Sequence, residues 1–299
     1  MALPRWFPIA RKEAVTLFKS KAIWILAPLL VVWGYGPTYE SWDVLGPNVT
    51  VGFVQAAGSV LLPLGVLLLT YRSIIQERTS GSLKFLLGLP LTRTDILVGK
   101  VCGRSVGAVV PFALSTVVLG IIGGVKFGLF SPLRFIGVFL VTVLYIVVLV
   151  SVATAASAVT TSEVRVTAVL FGVFFLILTL LWRFIGASIY SAVTGTAANP
   201  FDPPADGLLF AILRISPGRA YRTVTNWILG VGNSGGQYTS VIDVMYPGLS
   251  TNEYVVDAAF SGQPVPVYLH ESLGLVVLLL WGIVPLALAG YRFNRGDLA

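Results

Sequence analysis

The sequence has few of the residues from which metal sites and nucleophilic sites are built. Its 299 residues include one cysteine, Cys102, and one histidine, His270. A single cysteine allows neither a disulfide within the chain nor a cysteine metal cluster, and a single histidine argues equally against a histidine metal site. We therefore expect this chain to bind no metal ion.

Charge is also scarce. Charged residues make up 11% of the chain and hydrophobic residues 56%, whereas an average soluble domain is roughly one quarter charged. The mean hydropathy is +0.87, and a water-soluble fold of this length could not bury so much apolar surface. Several apolar runs reach the roughly 20 residues that a helix needs to cross the hydrocarbon core. The sequence therefore predicts an all-α integral membrane protein.

Motifs for catalysis are missing as well. Gly99-Lys100 is followed by Val101 and lacks the earlier glycine of a phosphate-binding loop. No Ser/His/Asp set, Cys/His pair or H-E-x-x-H motif is present. Four ionisable residues lie near membrane depth: Arg104, Arg183, His270 and Glu271. Each is close to the end of a predicted span, and we expect its side chain to reach the interface from there. We predict no catalytic residue and no cofactor bound by this chain.

The net charge of +7 arises from basic residues at the ends of apolar runs. A basic face on a soluble domain would indicate nucleic-acid binding, but this distribution follows the rule that Lys and Arg concentrate in the cytoplasmic loops. We therefore expect no nucleic-acid partner. Because most Lys and Arg fall on the side of the N-terminus, both termini are predicted to be cytoplasmic.

The apolar runs predict six transmembrane helices. Their ranges are about 22–35, 51–71, 96–125, 133–159, 166–184 and 273–291. The chain thus divides into an N-terminal segment (1–21), five spans (22–184) with a polar cytoplasmic loop (72–95), an extracytoplasmic segment (185–269), and a last span with a cytoplasmic tail (270–299).

The N-terminal segment has helical periodicity. Ile9 and Leu17 lie on an apolar face, and Arg11 and Lys12 lie largely on the other side. This pattern is typical of an amphipathic elbow helix in the membrane surface. The alternative is a basic flank without that role.

The segment 185–269 is rich in Gly, Pro, Asn, Ser and Thr, and it is too long for a simple connection. Residues 208–213 and 220–229 are predicted to form short helices, separated by Ser216-Pro217-Gly218. The segment is either a small external cap or a pair of partly re-entrant helices.

The loop at 72–95 is the longest polar segment between two apolar runs. Thr79 or Ser80 can cap a short helix, and the spacing of Thr92 and Asp95 resembles a capping box that opens the next helix. The residues that give the short helix its apolar face and its end are Leu83, Leu86, Leu87, Gly88 and Pro90. Such a helix suits docking into another protein, or a turn on the lipid surface.

Residues 77–100 carry a recognisable pattern. It reads Glu77-Arg78-Thr-Ser-Gly81-Ser-Leu83-Lys-Phe-Leu86-Leu87-Gly-Leu-Pro90-Leu-Thr-Arg93-Thr-Asp95-Ile96-Leu97-Val-Gly99-Lys100. It resembles the E-R-x-x-G-T-L-E-x-L-L-x-x-P-x-S-R-x-x-I-L-x-G-K segment of ABC-2 type transporter permeases. The similarity extends to Arg11-Lys12-Glu13, to Ser216-Pro217 and to the closing Phe293-Asn-Arg295-Gly-Asp297-Leu298. Within the family it is most similar to the copper-maturation and multidrug-type permeases.

The resemblance implies the membrane subunit of a transporter driven by a separate ATPase subunit. Two ATPase copies would hold ATP and Mg²⁺, and a second permease copy would complete the path, most simply as a homodimer. The ATPase-coupling residues implied by position are Glu77, Arg78, Gly81, Leu83, Leu86, Leu87, Pro90 and Arg93, with Glu163 and Arg165 in a second, shorter contact. Arg11, Lys12 and Glu13 would belong to the elbow helix.

The resemblance also implies export across the plasma membrane of a prokaryotic cell, in contact with membrane lipid. Gly52, Gly58 and Gly65 on the second span would allow close approach at a dimer interface or path. Two alternatives remain: a membrane scaffold that anchors a soluble partner without transport, and an intramembrane enzyme, which the shortage of polar groups in the spans disfavours.

Overall fold

The computed structural model describes residues 4–36, 42–81, 91–246, 249 and 251–295. Over these residues the chain is helical, with only an isolated β-bridge between Asn199 and Asp202. The helices are α1 (Phe7–Phe18), α2 (Lys21–Tyr35), α3 (Trp42–Leu45), α4 (Val49–Ser59), α5 (Leu61–Thr70), α6 (Ile75–Thr79), α7 (Arg93–Phe127), α8 (Pro132–Val159), α9 (Glu163–Thr167), α10 (Trp182–Thr194), α11 (Gly207–Arg214), α12 (Pro217–Leu229), α13 (Tyr238–Met245), α14 (Val256–Ala259) and α15 (Leu273–Arg295). A π-helix, Ala168–Leu181, joins α9 to α10. The all-α prediction is confirmed for the described residues.

Four helical stretches are long and apolar enough to cross a membrane unaided. They are Arg93–Phe127, Pro132–Val159, Glu163–Thr194 and Leu273–Arg292. Two further candidates are bent pairs: Phe7–Phe18 with Lys21–Tyr35 at 67°, and Asp43–Ser59 with Leu61–Thr79 at 40°. By length and composition the described residues therefore contain four to six candidate spans, and the predicted six is the upper count. The fifth was predicted to end at Phe184, but its helix continues to Thr194.

The bend in the second candidate span has a local cause. α4 ends at Ser59 and α5 begins at Leu61, with Val60 between them outside the helical region at φ −130° and ψ −56°. Pro63 lies in the first turn of α5 and has no N–H to donate to the carbonyl of Ser59 four residues earlier. The kink lies one turn before the proline.

The helix α1 packs lengthwise against the first turns of α7. Gly99, Gly103 and Gly107 recur every four residues and form one stripe on α7. A Cβ atom at Gly103 would collide with the carbonyl oxygen of Ala10. One at Gly107 would lie 2.6 Å from the side chain of Leu17. The stripe of small residues therefore lets the two backbones approach closely.

The predicted helices of the segment 185–269 are both present, and α12 is part of the bundle. Asp206 accepts a hydrogen bond from the backbone N–H of Leu208 at 2.9 Å and so caps α11. Ser216 caps α12 by accepting from the N–H of Arg219. Almost every residue of α12 is buried, and the helix packs against α4, α8 and α15. This burial favours the re-entrant alternative for α12 over an external cap.

Gln55 links α4 to α12 and α13. Its side chain is fully buried and donates from Nε2 to Thr225 Oγ1 and Asn226 Oδ1, both at 2.7 Å. Its Oε1 accepts from the backbone N–H of Tyr238 at 3.0 Å. Because an unpaired buried amide is costly, this set of bonds fixes α12 and the start of α13 against α4.

Candidate functional site

Three helices bring four charged side chains together at one end of the bundle. Lys100 on α7 lies with Nζ 2.8 Å from Glu13 Oε1 and 2.9 Å from Glu77 Oε2. Arg104, one turn further along α7, lies with Nε 2.7 Å from Glu13 Oε2. Lys100 is 1% exposed and Glu13 is 5% exposed. We call these four residues, Glu13, Glu77, Lys100 and Arg104, the Glu13 cluster.

The Glu13 cluster depends on the glycine stripe described above. Glu13 follows Ala10 by one turn on α1, and its Cβ would lie 2.8 Å from a Cβ added at Gly103. A larger residue on α7 would hold α1 away and separate Glu13 from Lys100 and Arg104. Sequence reasoning named Glu13, Glu77, Lys100 and Arg104 separately but did not predict that they meet. The spacing of Gly99, Gly103 and Gly107 was the signal that could have found their site.

The length of α7 places the Glu13 cluster at the membrane boundary. α7 contains 35 residues, and at 1.5 Å per residue it is about 52 Å long, against a hydrocarbon core of roughly 30 Å. The first turns of α7 can therefore extend beyond the hydrocarbon. Lys100 and Arg104 lie on those turns, so their charged groups can stay outside the apolar interior of the bilayer.

Arg104 corrects one expectation. Its side chain was expected to reach the interface alone from the end of a span. Instead it is held by Glu13, and its guanidinium also donates to the carbonyls of Leu69 and Thr70 at 3.1 and 3.4 Å. Arg104 therefore joins α1 and α7 to the end of α5.

Arg78 ties α6 to the end of α8. Its guanidinium donates to the carbonyl oxygens of Thr160 at 2.6 Å and Ala158 at 3.1 Å. A cation is favourable at a helix C-terminus, where carbonyl groups lack intrahelical partners. The hydroxyl of Ser157 accepts from the backbone N–H groups of both Ile74 and Ile75 at 2.9 Å. α6 and the residues just before it are thus joined to the end of α8 and to the residues just before α9.

A second link runs between the same two regions. Arg72 lies with a guanidinium nitrogen 2.8 Å from Glu163 Oε2 at the start of α9. Both side chains are partly exposed, at 49% and 38%, so this pair is weaker than the Glu13 cluster. The described part of the first implied docking segment, which ends at Gly81, is therefore held against the second segment at the start of α9.

The ends of the polar loop are defined by local chemistry. α6 ends at Thr79, and Gly81 follows with φ +74°, a left-handed conformation that favours glycine. The hydroxyls of Thr79 and Ser80 donate back to carbonyls of α6. The helix expected after Thr79 or Ser80, with Leu83, Leu86, Leu87 and Pro90, lies outside the described residues.

The capping box that opens α7 is confirmed. Asp95 donates its backbone N–H to Thr92 Oγ1 at 3.0 Å, and Thr92 donates its own N–H to Asp95 Oδ2 at 2.9 Å. Arg93, the other predicted coupling residue here, is the first residue of α7 and is half-buried. The start of α7 is thus fixed by this capping box.

A family model described as ABC-2 family transporter protein matches residues 7–298. The match covers nearly the whole chain. The chain belongs to the ABC-2 transporter family. A comparison with curated proteins found no match. The chain is therefore a multi-pass membrane protein and a permease of the ABC transporter class, as its sequence pattern indicated.

Two predicted elbow-helix residues and one predicted coupling residue of this ABC-2 permease face outward. Arg11 is exposed, and Lys12 is largely exposed with Nζ 3.6 Å from Glu77 Oε1. Arg165 is exposed on α9 and has no ion pair or hydrogen-bond partner among the residues the structure describes. Glu77, by contrast, keeps only 14% of its side chain exposed and is paired with Lys100 within the chain. A pairing of Glu77 with a basic residue of an ATPase partner would have to compete with that bond.

The three glycines of the second span contact other parts of the same permease. A Cβ at Gly52 would lie 2.7 Å from the ring of Tyr238, and one at Gly65 would lie 2.6 Å from the side chain of Leu26. A Cβ at Gly58 would collide with the hydroxyl of Tyr221. These contacts explain why small residues stand there. A role at a dimer interface or path stays a prediction.

Two other ionisable residues expected near span ends, Arg183 and His270, lie away from the Glu13 cluster. Arg183 donates to the carbonyl of Asn252 at 2.5 Å and is 26% exposed, so it is held within the chain. His270 is exposed, with Nδ1 2.8 Å from Ser272 Oγ. Among the described residues no three His, Cys, Asp or Glu side chains lie together as a metal site would require.

Proposed function

We propose that this chain is the permease subunit of an ABC transporter and couples ATP hydrolysis in a separate subunit to substrate movement. The docking surface would comprise α6, the loop after it and the start of α9. The observation that carries this proposal is the joining of the two segments by Arg78 and by the pair of Arg72 with Glu163. Family membership supports an ATPase partner in general terms.

The charge contacts suggest how a displacement of the docking surface would be transmitted to other helices. Glu77 on α6 connects to Lys100 on α7, and Lys100 connects to Glu13 on α1. Arg78 connects α6 to the end of α8. Rigid helices joined in this way move together when one of them is displaced. Movement of the docked surface would therefore shift the ends of four candidate spans as a unit.

The complete transporter, in this proposal, contains two ATPase subunits that bind ATP and Mg²⁺ and two copies of the permease. Substrate moves outward across the plasma membrane of a prokaryotic cell, and both termini lie in the cytoplasm. α1 serves as the elbow helix. Its Arg11 and Lys12 are exposed where anionic lipid headgroups would meet them.

The first test is purification of the tagged chain from its own membranes in mild detergent. The eluate is assayed for ATP hydrolysis, and its components are identified by mass spectrometry. We expect a stoichiometric ATPase that contains a phosphate-binding loop. If the chain is recovered alone, or with a partner that lacks a nucleotide site, the scaffold function takes the place of this proposal.

The docking surface is tested by removing one exposed charge. Arg165→Gln should weaken the association with the ATPase in a salt-dependent manner, because an exposed cation acts through screened electrostatics. Thermal stability should not change, since Arg165 has no partner among the described residues. The matched control is Arg134→Gln, an exposed arginine toward the other end of the bundle. Equal effects of the two substitutions on association would contradict the assigned surface.

A further inference from the structure

A polar cavity lies away from the Glu13 cluster, between the end of the π-helix and α12. Its volume is about 220 Å³. Arg183, Arg219 and Arg222 line it together with Glu253, Gln237 and Ser240. We call this cavity the Arg222 pocket. Three guanidinium groups and one carboxylate give its wall an excess of positive charge.

The single carboxylate, Glu253, already pairs with Arg219 and Arg183. Glu253 Oε1 lies 2.7 Å from a nitrogen of Arg219, and Glu253 Oε2 lies 3.7 Å from a nitrogen of Arg183. Glu253 also accepts from the backbone N–H of Tyr254 at 3.0 Å. No ion pair links Glu253 to Arg222 among the described residues. The positive charge of Arg222 is therefore not matched by a paired anion in this part of the chain.

Arg222 is the decisive side chain. It is 8% exposed, and its Nε donates to the carbonyl of Gly235 at 2.6 Å. Neither terminal nitrogen of its guanidinium has an acceptor among the residues the structure describes. Removing a cation from water is costly unless it is paired and hydrogen-bonded. A buried, incompletely bonded guanidinium on the wall of a cavity is therefore suited to an anion that enters the cavity.

The form of the wall indicates which anion fits. Arg219 and Arg222 are three residues apart on α12 and thus share one face of that helix. Guanidinium forks match the oxygen spacing of phosphate and can bind it through paired hydrogen bonds. The amide of Gln237 and the hydroxyl of Ser240 add neutral donors at the same wall.

Part of the remaining wall is apolar and belongs to the candidate spans. Val60 lies at the break between α4 and α5, and Leu180 lies near the end of the π-helix. Thr179 and Gly236 complete the lining. A cavity of about 220 Å³ exceeds the roughly 30 Å³ that one water occupies in the liquid. The pocket therefore has room for a phosphate group that carries a substituent, and its apolar wall lies on the side of the spans.

We propose that the Arg222 pocket binds a phosphate group. The phosphate comes either from a lipid headgroup or from free phosphate in solution, and both sources present the same oxyanion to Arg222 and Arg219. This proposal is independent of ATPase coupling, because binding can be measured on the permease chain alone.

The test uses the full chain purified in a neutral detergent and depleted of co-purified lipid. Thermal unfolding is followed by tryptophan fluorescence in sodium phosphate and in sodium chloride of equal ionic strength. A second arm compares mixed micelles that contain dioctanoyl phosphatidylglycerol with micelles that contain dioctanoylglycerol, which has the same chains without phosphate. We expect at least one phosphate-bearing probe to raise the Tm above its matched control.

The two arms separate the sources. A shift with inorganic phosphate indicates free phosphate, and a shift with phosphatidylglycerol alone indicates a lipid headgroup. In either case Arg222→Gln should raise the dissociation constant about tenfold or more, as expected when a charge-assisted hydrogen bond is lost. Arg134→Gln should leave the shift intact, since Arg134 lies outside the pocket and donates to the carbonyl of Leu229.

Two further variants protect the test against simple misfolding. Arg222→Lys keeps the charge and should retain weakened binding. Glu253→Gln removes the competing carboxylate and should tighten binding, whereas damage to the pocket would weaken it. The proposal is overturned if neither probe raises the Tm, if Arg222→Gln and wild type respond equally, or if Glu253→Gln folds and loses the response.

Discussion

The Glu13 cluster and the Arg222 pocket use the same kinds of side chain in different proportions. In the Glu13 cluster two carboxylates face two buried or largely buried cations, and both oxygens of Glu13 are paired within 2.8 Å. In the Arg222 pocket one carboxylate pairs with two of the three guanidiniums around an open cavity, and Arg222 has no ion pair among the described residues. Matched charges between packed helices hold those helices together. Unmatched charges around a cavity retain the capacity to bind a ligand.

The largest expected effect comes from breaking the Glu13 cluster. Glu13→Ala leaves Arg104 and the buried Lys100 without one of their anions, and loss of one partner of a buried pair costs about 3–5 kcal/mol. Thermal or denaturant unfolding of the full chain in detergent measures the loss. Glu163→Ala, which removes the exposed partner of Arg72, is the matched control and should cost about 0–1 kcal/mol. Similar losses in the two variants would show that the cluster is not a structural tie.

The next effect concerns the helix contact that makes the cluster possible. Gly103→Ala places a Cβ against the carbonyl oxygen of Ala10, and relieving the overlap requires α1 to shift away from α7. Overpacking of this kind costs about 1–3 kcal/mol. Gly172→Ala is the control, because a Cβ there meets nothing within 4 Å. A neutral result at Gly103 would mean that α1 does not depend on the glycine stripe.

A comparable effect is expected where α12 meets α4. Gln55→Leu keeps a similar volume but removes the bonds to Thr225, Asn226 and the backbone N–H of Tyr238. A buried donor left without its acceptor costs about 1–3 kcal/mol. Hydrogen exchange should then increase in α12 and α13 before it increases in α1. A uniform increase along the chain would argue that Gln55 does not anchor this segment in particular.

The smallest effect is the pH dependence of the Glu253 carboxyl in the Arg222 pocket. Burial by itself would raise the pKa of the Glu253 carboxyl, but the charge and hydrogen bond of Arg219, the N–H of Tyr254 and the charge of Arg222 together outweigh burial and hold the pKa below its ordinary value of 4.5. A carboxyl with a lowered folded pKa stabilises the fold above its unfolded pKa, and this contribution is lost as the pH falls through the folded pKa. The Tm difference between wild type and Glu253→Gln should therefore be constant near neutral pH and shrink below 4.5. A difference that does not change with pH would contradict the pairing.

Local signals predicted the helices of this protein well. α7 begins at a capping box, α11 begins after Asp206 and α12 begins after Ser216. Each of these caps bonds to a backbone N–H within three residues. By contrast, the reading that the spans hold few polar groups overlooked Gln55, whose partners lie about 170 residues away in the sequence. The π-helix was also missed, since its apolar sequence reads as an ordinary span.

The sequence by itself determined that the chain is helical, embedded in a membrane and a member of the ABC-2 family, because hydropathy, capping and the pattern at residues 77–100 are properties of neighbouring residues. Only the tertiary structure decided which charges meet. Glu13 and Lys100 are 87 positions apart, and Arg219 and Glu253 are 34 apart. Whether such residues pair depends on how closely helices approach, and here that approach is set by Gly103 and by the burial of α12.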